Sequence, residues 1–212
     1  MLNLLRTTRL AWLAVAAIML AIGAAWYLPG AGSASAQSRA GTAAAVFAGG
    51  CFWCTEADFE KVPGVLSAVS GYTGGRTANP TYEQVSAGGT GHYEAVRVTY
   101  DPRRVSYAQL VRHYFGTVDP LDNGGQFCDR GESYRTAIFT ANAAERRIAD
   151  AERTRVNGQL RRKVATPLLN AGAFYPAEGY HQDYYKKNPV RYKYYRYRCG
   201  RDARLKEVWG KG

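Results

Sequence analysis

Residues 43–54 decide the fold, and they read Ala-Ala-Ala-Val-Phe-Ala-Gly-Gly-Cys-Phe-Trp-Cys. The first six form a short apolar run that ends in Gly49-Gly50, a pattern that predicts a buried strand entering a tight turn. Residues 51–61 then have helical character, with acidic side chains near the start, where they suit the helix dipole. The stretch therefore predicts a strand, a glycine turn and a helix that begins at Cys51.

The remainder of the chain predicts further strands and helices in alternation. Strands are predicted over residues 65–72, 93–100 and 134–140, an extended stretch over 164–174, and helices over 106–115, 142–160 and 180–187. The helix at residue 106 is the clearest, because Ser106 and Gln109 form a capping box before an apolar face. Strands separated by helices of unequal length, with much loop, indicate one α+β or mixed α/β domain.

Length and composition exclude several classes of protein. A chain of 212 residues suits one ordinary domain or two very small ones, and 46% hydrophobic with 21% charged residues is globular. Four cysteines are too few for a small disulfide scaffold. The 28 basic residues against 17 acidic ones give a net charge of +11, which raises nucleic-acid binding as a hypothesis to be tested.

Residues 1–36 are predicted to be a secretory signal. Arg6 and Arg9 precede an uncharged apolar run over residues 10–28, and Ala-Ser-Ala at 34–36 offers a cleavage site. The apolar run is long enough for an uncleaved anchor as the alternative. In either case the remainder is exported, to the periplasm or anchored facing it, and disulfides are permitted there.

The mature chain divides simply. Residues 37–42 are predicted to be a linker and residues 43–212 a single folded domain. No internal repeat interrupts that domain.

The placement of Cys51 predicts reactivity. At the start of a helix, after a strand and a Gly-Gly turn, a cysteine meets unpaired backbone N–H groups and the positive dipole end. Both favour the thiolate, which is the nucleophilic form, and the adjacent Phe52 and Trp53 would wall a small apolar pocket. A buried cysteine in an aromatic core is the plainer interpretation.

Several motifs accompany this stretch in the order found in a known enzyme family. They are Gly50-Cys51-Phe52-Trp53, Gly71-Tyr72-Thr73-Gly74-Gly75, Asn79-Pro80-Thr81-Tyr82, Gly91-His92-Tyr93-Glu94-Ala95-Val96, Tyr100-Asp101-Pro102, Asp129-Arg130-Gly131, Ser133-Tyr134-Arg135-Thr136-Ala137-Ile138 and Lys187-Asn188-Pro189. With them the chain resembles, over residues 43–212, the A-type peptide methionine sulfoxide reductases. The resemblance implies one compact α+β domain with a ferredoxin-like core. It also implies a mixed, largely antiparallel sheet flanked by helices, and a loop-rich C-terminal segment.

The resemblance also implies a chemistry: thiol-dependent reduction of methionine-S-sulfoxide, peptide-bound or free. Cys51 would attack the sulfoxide sulfur and Glu94 would protonate the oxygen. Glu94 suits this role because it lies in an alternating strand among apolar neighbours, where burial would raise its pKa; an outward-facing polar residue is the alternative. The resemblance places Tyr82, Asp129 and Tyr134 around the oxygen, and Phe52 and Trp53 around the substrate's S-methyl group.

A second thiol must then resolve the sulfenic acid formed on Cys51 into a disulfide, which an external dithiol reduces. Cys199 is the first candidate, because Gly200 and polar neighbours allow a mobile C-terminal segment and family members often use a C-terminal cysteine. Cys54 is an alternative, since a bridge to Cys51 is feasible at this spacing, although other family members carry glycine there. Cys128 is the third, with a structural or spare thiol as its plainer interpretation.

The expected partners follow from this chemistry. Electrons arrive through thiol exchange with a thioredoxin-like dithiol reductant, so neither a cofactor nor a metal is expected. Monomer is the family's default state, and contact with a membrane is expected only through an uncleaved N-terminal segment.

Three other functions compete. Cys51-x-x-Cys54 could be a thioredoxin-like dithiol, but residues of the Trp-Cys-Gly-Pro-Cys type are absent. A four-cysteine zinc site is weaker, because only one Cys-x-x-Cys exists and the three histidines show no ligand spacing. Residues 186–198 mix Lys and Arg with Tyr as nucleic-acid or envelope-surface binders do. The same mixture suits a partly buried segment that wraps the domain, with Arg stems over aromatic rings.

Overall fold

The computed structural model describes residues 41–210, and the structural statements here concern that range. The predicted signal segment, residues 1–36, and the linker up to residue 40 lie outside the described residues. Within them, no helix is long and apolar enough to cross a membrane.

A six-stranded mixed sheet forms the centre of the described domain. The strands in chain order are β1 (Ala43–Gly49), β2 (Val65–Thr73), β3 (Tyr93–Tyr100), β4 (Gly125–Gln126), β5 (Asp129–Arg130), β6 (Thr136–Thr140), β7 (Leu168–Asn170) and β8 (Phe174–Pro176). The main sheet has the order β7-β6-β1-β3-β2-β8, while β4 and β5 pair separately. Neighbours in the main sheet are antiparallel except β6 and β7, which confirms the predicted mixed, largely antiparallel α+β fold.

Helices surround this sheet. They are α1 (Phe52–Phe59), α2 (Tyr82–Ala87), α3 (Tyr107–Phe115), α4 (Ala143–Leu160), α5 (Tyr184–Lys187), α6 (Pro189–Arg198) and α7 (Arg201–Trp209), with a 3-10 turn at Glu132–Tyr134. The capping box that predicted α3 is present, because the Ser106 side chain accepts from the Gln109 N–H and the Gln109 side chain accepts from the Ser106 N–H. Asn142 likewise caps α4 through the Glu145 N–H.

The central strand β1 anchors the main core. Phe47, fully buried, pairs in register with Val96 of β3 and stacks on Phe59 and Tyr114, with ring centroids 4.8 and 5.2 Å apart. Each fully buried aromatic of this kind contributes about 2–3 kcal/mol of hydrophobic stabilisation. Successive side chains of a strand face opposite sides of a sheet, so Glu94 lies on the same side as Val96.

The C-terminal segment differs from the prediction of a loop-rich tail. Pro189 occupies the first turn of α6, where its missing N–H costs nothing, and Gly200 takes the left-handed conformation (φ 69°) between α6 and α7. The two helices are held by burial of Tyr192 and of Arg201, whose guanidinium donates to the Gly49 and Thr117 carbonyls. Polar composition concealed these helices because so few of their residues face the core.

Three other predicted elements have different bounds in the structure. Residues 134–140 form a strand only from Thr136, because Glu132–Tyr134 is a 3-10 turn. The predicted extended stretch over residues 164–174 contains β7 and leads into β8. The predicted helix over residues 180–187 is shorter in the structure, where it is α5, Tyr184–Lys187. Sequence reasoning missed α2, although Thr81 and Gln84 form a capping box at its start.

Candidate active site

The glycine turn after β1 sets the position of Cys51. Gly50 has φ +81°, and a Cβ there would lie 2.5 Å from the Cβ of Gln126. Cys51 then occupies the N-cap of α1, and its carbonyl accepts hydrogen bonds from the N–H groups of Cys54 and Thr55, each 3.2 Å long. The predicted strand, turn and helix start are therefore present, and only glycine fits the turn.

A small cavity of about 80 Å³ lies beside the Cys51 sulfur. Its lining consists of Cys51, Phe52, Trp53, Tyr82, Glu94, Asp129, Tyr134 and Tyr195. The structure thus brings together every residue predicted for attack, oxygen binding and methyl binding. It adds Tyr195, which belongs to the basic, aromatic stretch over residues 186–198.

Glu94 reaches the cavity from β3. The residue is 3% exposed, and its Oε2 accepts the Phe52 N–H at 2.9 Å. Burial raises the pKa of Glu94 to about 8, with the Phe52 hydrogen bond opposing and the charge of Asp129 adding to the rise. Glu94 is therefore protonated at neutral pH, which is the state a general acid needs.

Phe52 and Trp53 form the apolar wall. The Trp53 ring stacks on Tyr184 at a centroid distance of 3.7 Å, and Tyr195 meets it edge-on at 5.8 Å. Its indole Nε1–H donates to Nδ1 of His181 at 3.0 Å. The indole is thus held on three sides, and Phe52 is fully buried beside it.

Hydroxyl groups and a second carboxyl complete the polar side. Tyr82 and Tyr134 share a hydrogen bond, and burial raises the pKa of both phenols, with Glu94 nearby adding to the rise. The Tyr195 hydroxyl donates to the carboxylate of Asp129. Burial raises the pKa of Asp129, and the hydrogen bond from Tyr195 partly offsets that rise. The phenols of Tyr82 and Tyr134 therefore keep their protons, whereas the proton of Tyr195 is held by Asp129.

Cys51 and Cys54 form one coupled pair of buried thiols. Burial raises the pKa of Cys51, as do its hydrogen bond to Cys54 and the nearby acids. That same hydrogen bond lowers the pKa of Cys54 to about 7. Burial alone would raise this pKa, and the positive charges of Arg201 and Arg196 lower it further. Burial thus opposes the stabilisation of the Cys51 thiolate that the helix start is predicted to provide, and the reactivity of Cys51 stays a prediction.

Cys128 and Cys199 are joined in a disulfide, with their Cα atoms 4.9 Å apart. Cys199 caps the end of α6, so it is not in the mobile tail that the sequence suggested, and its sulfur lies 3.7 Å from Asp129 Oδ2. Cys128 is exposed. A disulfide that faces solvent thus lies next to a residue of the cavity, and Cys128 is not a spare thiol.

Two groups in the described range offer metal-ligating atoms, and the first shares Asp129 with the lining of the cavity. Cys128, Asp129 and Cys199 converge, but the two sulfurs are bonded to each other. Glu56, Glu60 and Asp183 also converge, and the Lys186 ammonium already pairs with the last two at 2.5 and 2.7 Å.

The basic, aromatic stretch packs mainly as a wrapping segment. Tyr192 is buried, Tyr195 lines the cavity, and the Arg201 guanidinium lies 4.6 Å from the centre of the Phe127 ring. Tyr194 and Tyr197 remain exposed. Tyr195 is therefore the member of residues 186–198 that lines the cavity, while Lys187, Arg191, Lys193 and Arg198 are exposed.

An α+β domain with a buried cysteine facing a protonated carboxyl, and a solvent-facing disulfide beside them, defines a thiol-dependent oxidoreductase. The family model described as peptide methionine sulfoxide reductase matches residues 43–212. The chain belongs to the peptide methionine sulfoxide reductase family.

Similar proteins and solved structures include other methionine sulfoxide reductases. The protein named peptide methionine sulfoxide reductase MsrA 2 of Rhizobium meliloti is 54% identical over 166 residues, 78% of this chain and 83% of its own. MsrA of Bacillus subtilis is 48% identical over 168 residues, 78% of this chain and 95% of its own. The structure of methionine sulfoxide reductase A of Corynebacterium diphtheriae gives a TM-score of 0.65 at 33% identity, over 72% of this chain and 78% of that one. The structure of reduced Mxr1 of Saccharomyces cerevisiae gives a TM-score of 0.67 at 29% identity, over 71% of this chain and 88% of that one.

Sequence reasoning missed three side chains around the cavity: Tyr195, Glu178 and His181. Tyr195 reaches the site only because α6 folds back over α1, which no local pattern shows. Glu178 accepts the Tyr82 N–H and the Tyr72 hydroxyl, each at 2.9 Å. The sole sequence signal was their clustering with aromatic residues near positions 178–195.

Proposed function

We propose that this chain reduces methionine-S-sulfoxide to methionine, in oxidised proteins and in the free amino acid. The observation that carries the proposal is that the Cys51 thiol and the protonated carboxyl of Glu94 line one cavity with an aromatic wall. A methylsulfinyl group combines a polar oxygen with an apolar methyl. The cavity divides in the same way, with Glu94, Tyr82 and Tyr134 for the oxygen and Phe52 and Trp53 for the methyl.

The first step transfers oxygen from substrate to enzyme. As the Cys51 sulfur attacks the sulfoxide sulfur, its proton passes along the existing hydrogen bond to the Cys54 thiolate. Glu94 protonates the sulfoxide oxygen, the bond between that oxygen and the substrate sulfur breaks, and the oxygen bonds to the Cys51 sulfur as the transient sulfur–sulfur bond breaks, which leaves methionine and a sulfenic acid on Cys51. The substrate sulfur gains the two electrons that the Cys51 sulfur loses.

The second step removes the oxygen as water. We propose that Cys54 attacks the sulfenic acid, because its sulfur already contacts Cys51, and that the product is a Cys51–Cys54 disulfide and water. The Cys199 and Cys128 thiols then reduce that bond and become the disulfide seen here, which restores the Cys51 and Cys54 thiols. Direct attack by Cys199 on the sulfenic acid is the second candidate, favoured by its position beside Asp129.

The third step takes electrons from a thioredoxin-like dithiol protein. The exposed sulfur of Cys128 is the accessible half of the outer disulfide. Residues 1–36 support the further proposal that the enzyme is exported and repairs envelope proteins in the periplasm. We also propose that it acts as a monomer. An envelope dithiol, rather than a cytosolic one, would then supply the electrons.

An epimer-resolved assay tests the proposed function. Peptides that carry either methionine-S-sulfoxide or methionine-R-sulfoxide are incubated with the purified chain and dithiothreitol, and methionine is measured by mass spectrometry. We expect turnover of the S epimer alone. Failure to reduce the S epimer, peptide-bound and free, would overturn the proposal.

A further inference from the structure

His181 lies behind the aromatic wall, outside the cavity lining, and is 1% exposed. Its Nδ1 accepts the Trp53 indole N–H at 3.0 Å. Its ring lies 4.5 Å from that of Tyr82 and 4.9 Å from that of Phe52, centroid to centroid. One imidazole thus contacts three residues that line the cavity, on both its apolar and its polar side.

The loop that carries His181 is anchored on both sides. The Gln182 side chain accepts the Ser70 N–H at 3.0 Å and donates to the Ser70 carbonyl at 2.8 Å, which ties the loop to β2. The Asp183 N–H donates to Glu56 Oε1 at 2.6 Å, which ties it to α1. The position of the imidazole is therefore set by the fold and does not depend on the Trp53 contact alone.

The hydrogen bond determines the tautomer of His181. An Nδ1 that accepts from the indole cannot carry a proton, so the proton of the neutral ring is on Nε2. Nε2 has no hydrogen-bond partner among the described residues, and the nearest carboxylate oxygen, Glu178 Oε2, is 4.0 Å away. A second proton would put a donor opposite the indole N–H and break the contact.

We propose that neutral His181 is a positioning residue for the sulfoxide, because its Nδ1 fixes the Trp53 indole while its ring supports Tyr82. This inference deepens the proposed function and rests on it for the identity of the substrate. Because Trp53 holds the methyl group both before and during the reaction, losing the acceptor should raise KM more than it lowers kcat.

Two substitutions separate the hydrogen bond from ring packing. His181→Phe keeps an aromatic ring and removes the acceptor, whereas His181→Asn keeps an acceptor near the Nδ1 position and removes the ring. Leaving the buried indole N–H unpartnered should lower kcat/KM for the S epimer about tenfold in His181→Phe, mainly through KM. His181→Asn should recover most of that loss.

The Trp53 indole N–H signal gives a readout that needs no turnover. It is assigned in a ¹⁵N–¹H spectrum by its absence from Trp53→Phe. We expect a hydrogen-bonded, slowly exchanging proton in the wild type and in His181→Asn, and a shifted, faster-exchanging one in His181→Phe. An unchanged indole signal in His181→Phe, or full kcat/KM there with loss in His181→Asn, would overturn the proposal. Absence of sulfoxide reduction by the wild type would overturn the proposed function instead.

Acidification of the wild type tests the same contact without a substitution. The groups that face His181 are Glu178 and Tyr180 of its own loop, Tyr82 and Glu83 of α2, and Phe52 and Trp53 of α1, and the Tyr72 hydroxyl of β2 donates to Glu178. Burial lowers the pKa of His181 below 6.5, with the two carboxylates opposing. The indole signal should therefore move only as pH falls below 6.5. A signal that stays constant while His181 titrates would contradict the proposal.

Discussion

In the proposed mechanism Glu94 sets the alkaline limit of activity, because only its protonated form can donate to the sulfoxide oxygen. Burial raises the pKa of Glu94 to about 8, so this carboxyl stays protonated at neutral pH. At the other limit, the Cys54 thiolate is proposed to speed the first step by accepting the Cys51 proton without being essential to it, and the pKa of Cys54 is about 7. Two neighbouring groups with pKa values moved in opposite directions thus define a narrow range of pH for full activity.

Glu94→Gln should lower kcat by about two to four orders of magnitude, since a general acid is lost, and should remove the alkaline limb of the pH–rate profile. The raised pKa also makes the folded state lose stability as pH rises from 4.5 to about 8, so the variant should gain stability relative to the wild type at pH 8. Steady-state kinetics and urea denaturation at several pH values measure both effects.

Glu152→Gln is the matched control, because Glu152 is buried but pairs with Arg112 and Arg155 away from the cavity. It should leave the alkaline limb in place. An alkaline limb that persists in Glu94→Gln would show that another group is the acid.

At the scale of elements, the turn between β1 and α1 aims the nucleophile. Gly50 faces Gln126, which is fully buried and whose amide bonds both the N–H and the carbonyl of Asp119 at 2.8 Å. Gln126 therefore cannot move aside, and any side chain at position 50 would displace Cys51 or the β4–β5 hairpin.

Gly50→Ala should lower kcat/KM at least tenfold and cost clearly more stability than Gly89→Ala, for which we expect about 1 kcal/mol. Gly89 is the matched control because its φ of +80° is nearly the same, while a Cβ there would meet nothing within 4 Å. Urea denaturation and sulfoxide kinetics compare the two. Equal losses of stability with unchanged activity in Gly50→Ala would contradict this role for the turn.

Local pattern was enough to predict β1, the glycine turn, α3 and the capped start of α4, because those elements depend on neighbouring residues. The motif resemblance added Tyr82, Glu94, Asp129 and Tyr134 from separate elements. Neither source placed Tyr195 or His181, whose roles arise only when the C-terminal helices and the 178–183 loop fold over α1. The direction of proton sharing between Cys51 and Cys54 also depends on burial and on distant arginines, which a motif does not record.

At the scale of the whole molecule, the C-terminal segment connects the buried thiols to solvent. Arg196 pairs with Asp58 of α1 at 3.0 Å and lowers the pKa of Cys54, while Cys199 at the end of the same helix holds the outer disulfide. In the proposed cycle the inner pair reacts with the substrate and the outer pair, whose Cys128 is exposed, reacts with the reductant.

Single substitutions distinguish the two routes of recycling. With a protein dithiol as reductant, Cys199→Ser should stop near one equivalent of methionine and accumulate the Cys51–Cys54 disulfide. Cys54→Ser should instead accumulate sulfenic acid on Cys51. Mass spectrometry after alkylation identifies the trapped bonds. Rapid formation of a Cys51–Cys199 disulfide in Cys54→Ser would show that Cys199 resolves the sulfenic acid directly.

Cys51 is proposed to take the oxygen of the sulfoxide, and a single-turnover measurement on a chain whose other three cysteines are serine tests this role most directly. Without reductant, this chain should convert one equivalent of methionine-S-sulfoxide per molecule and carry a dimedone-trapped sulfenic acid on Cys51. The same chain with Cys51→Ser should convert none. Conversion without modification of Cys51, or an equal yield in Cys51→Ser, would contradict the account.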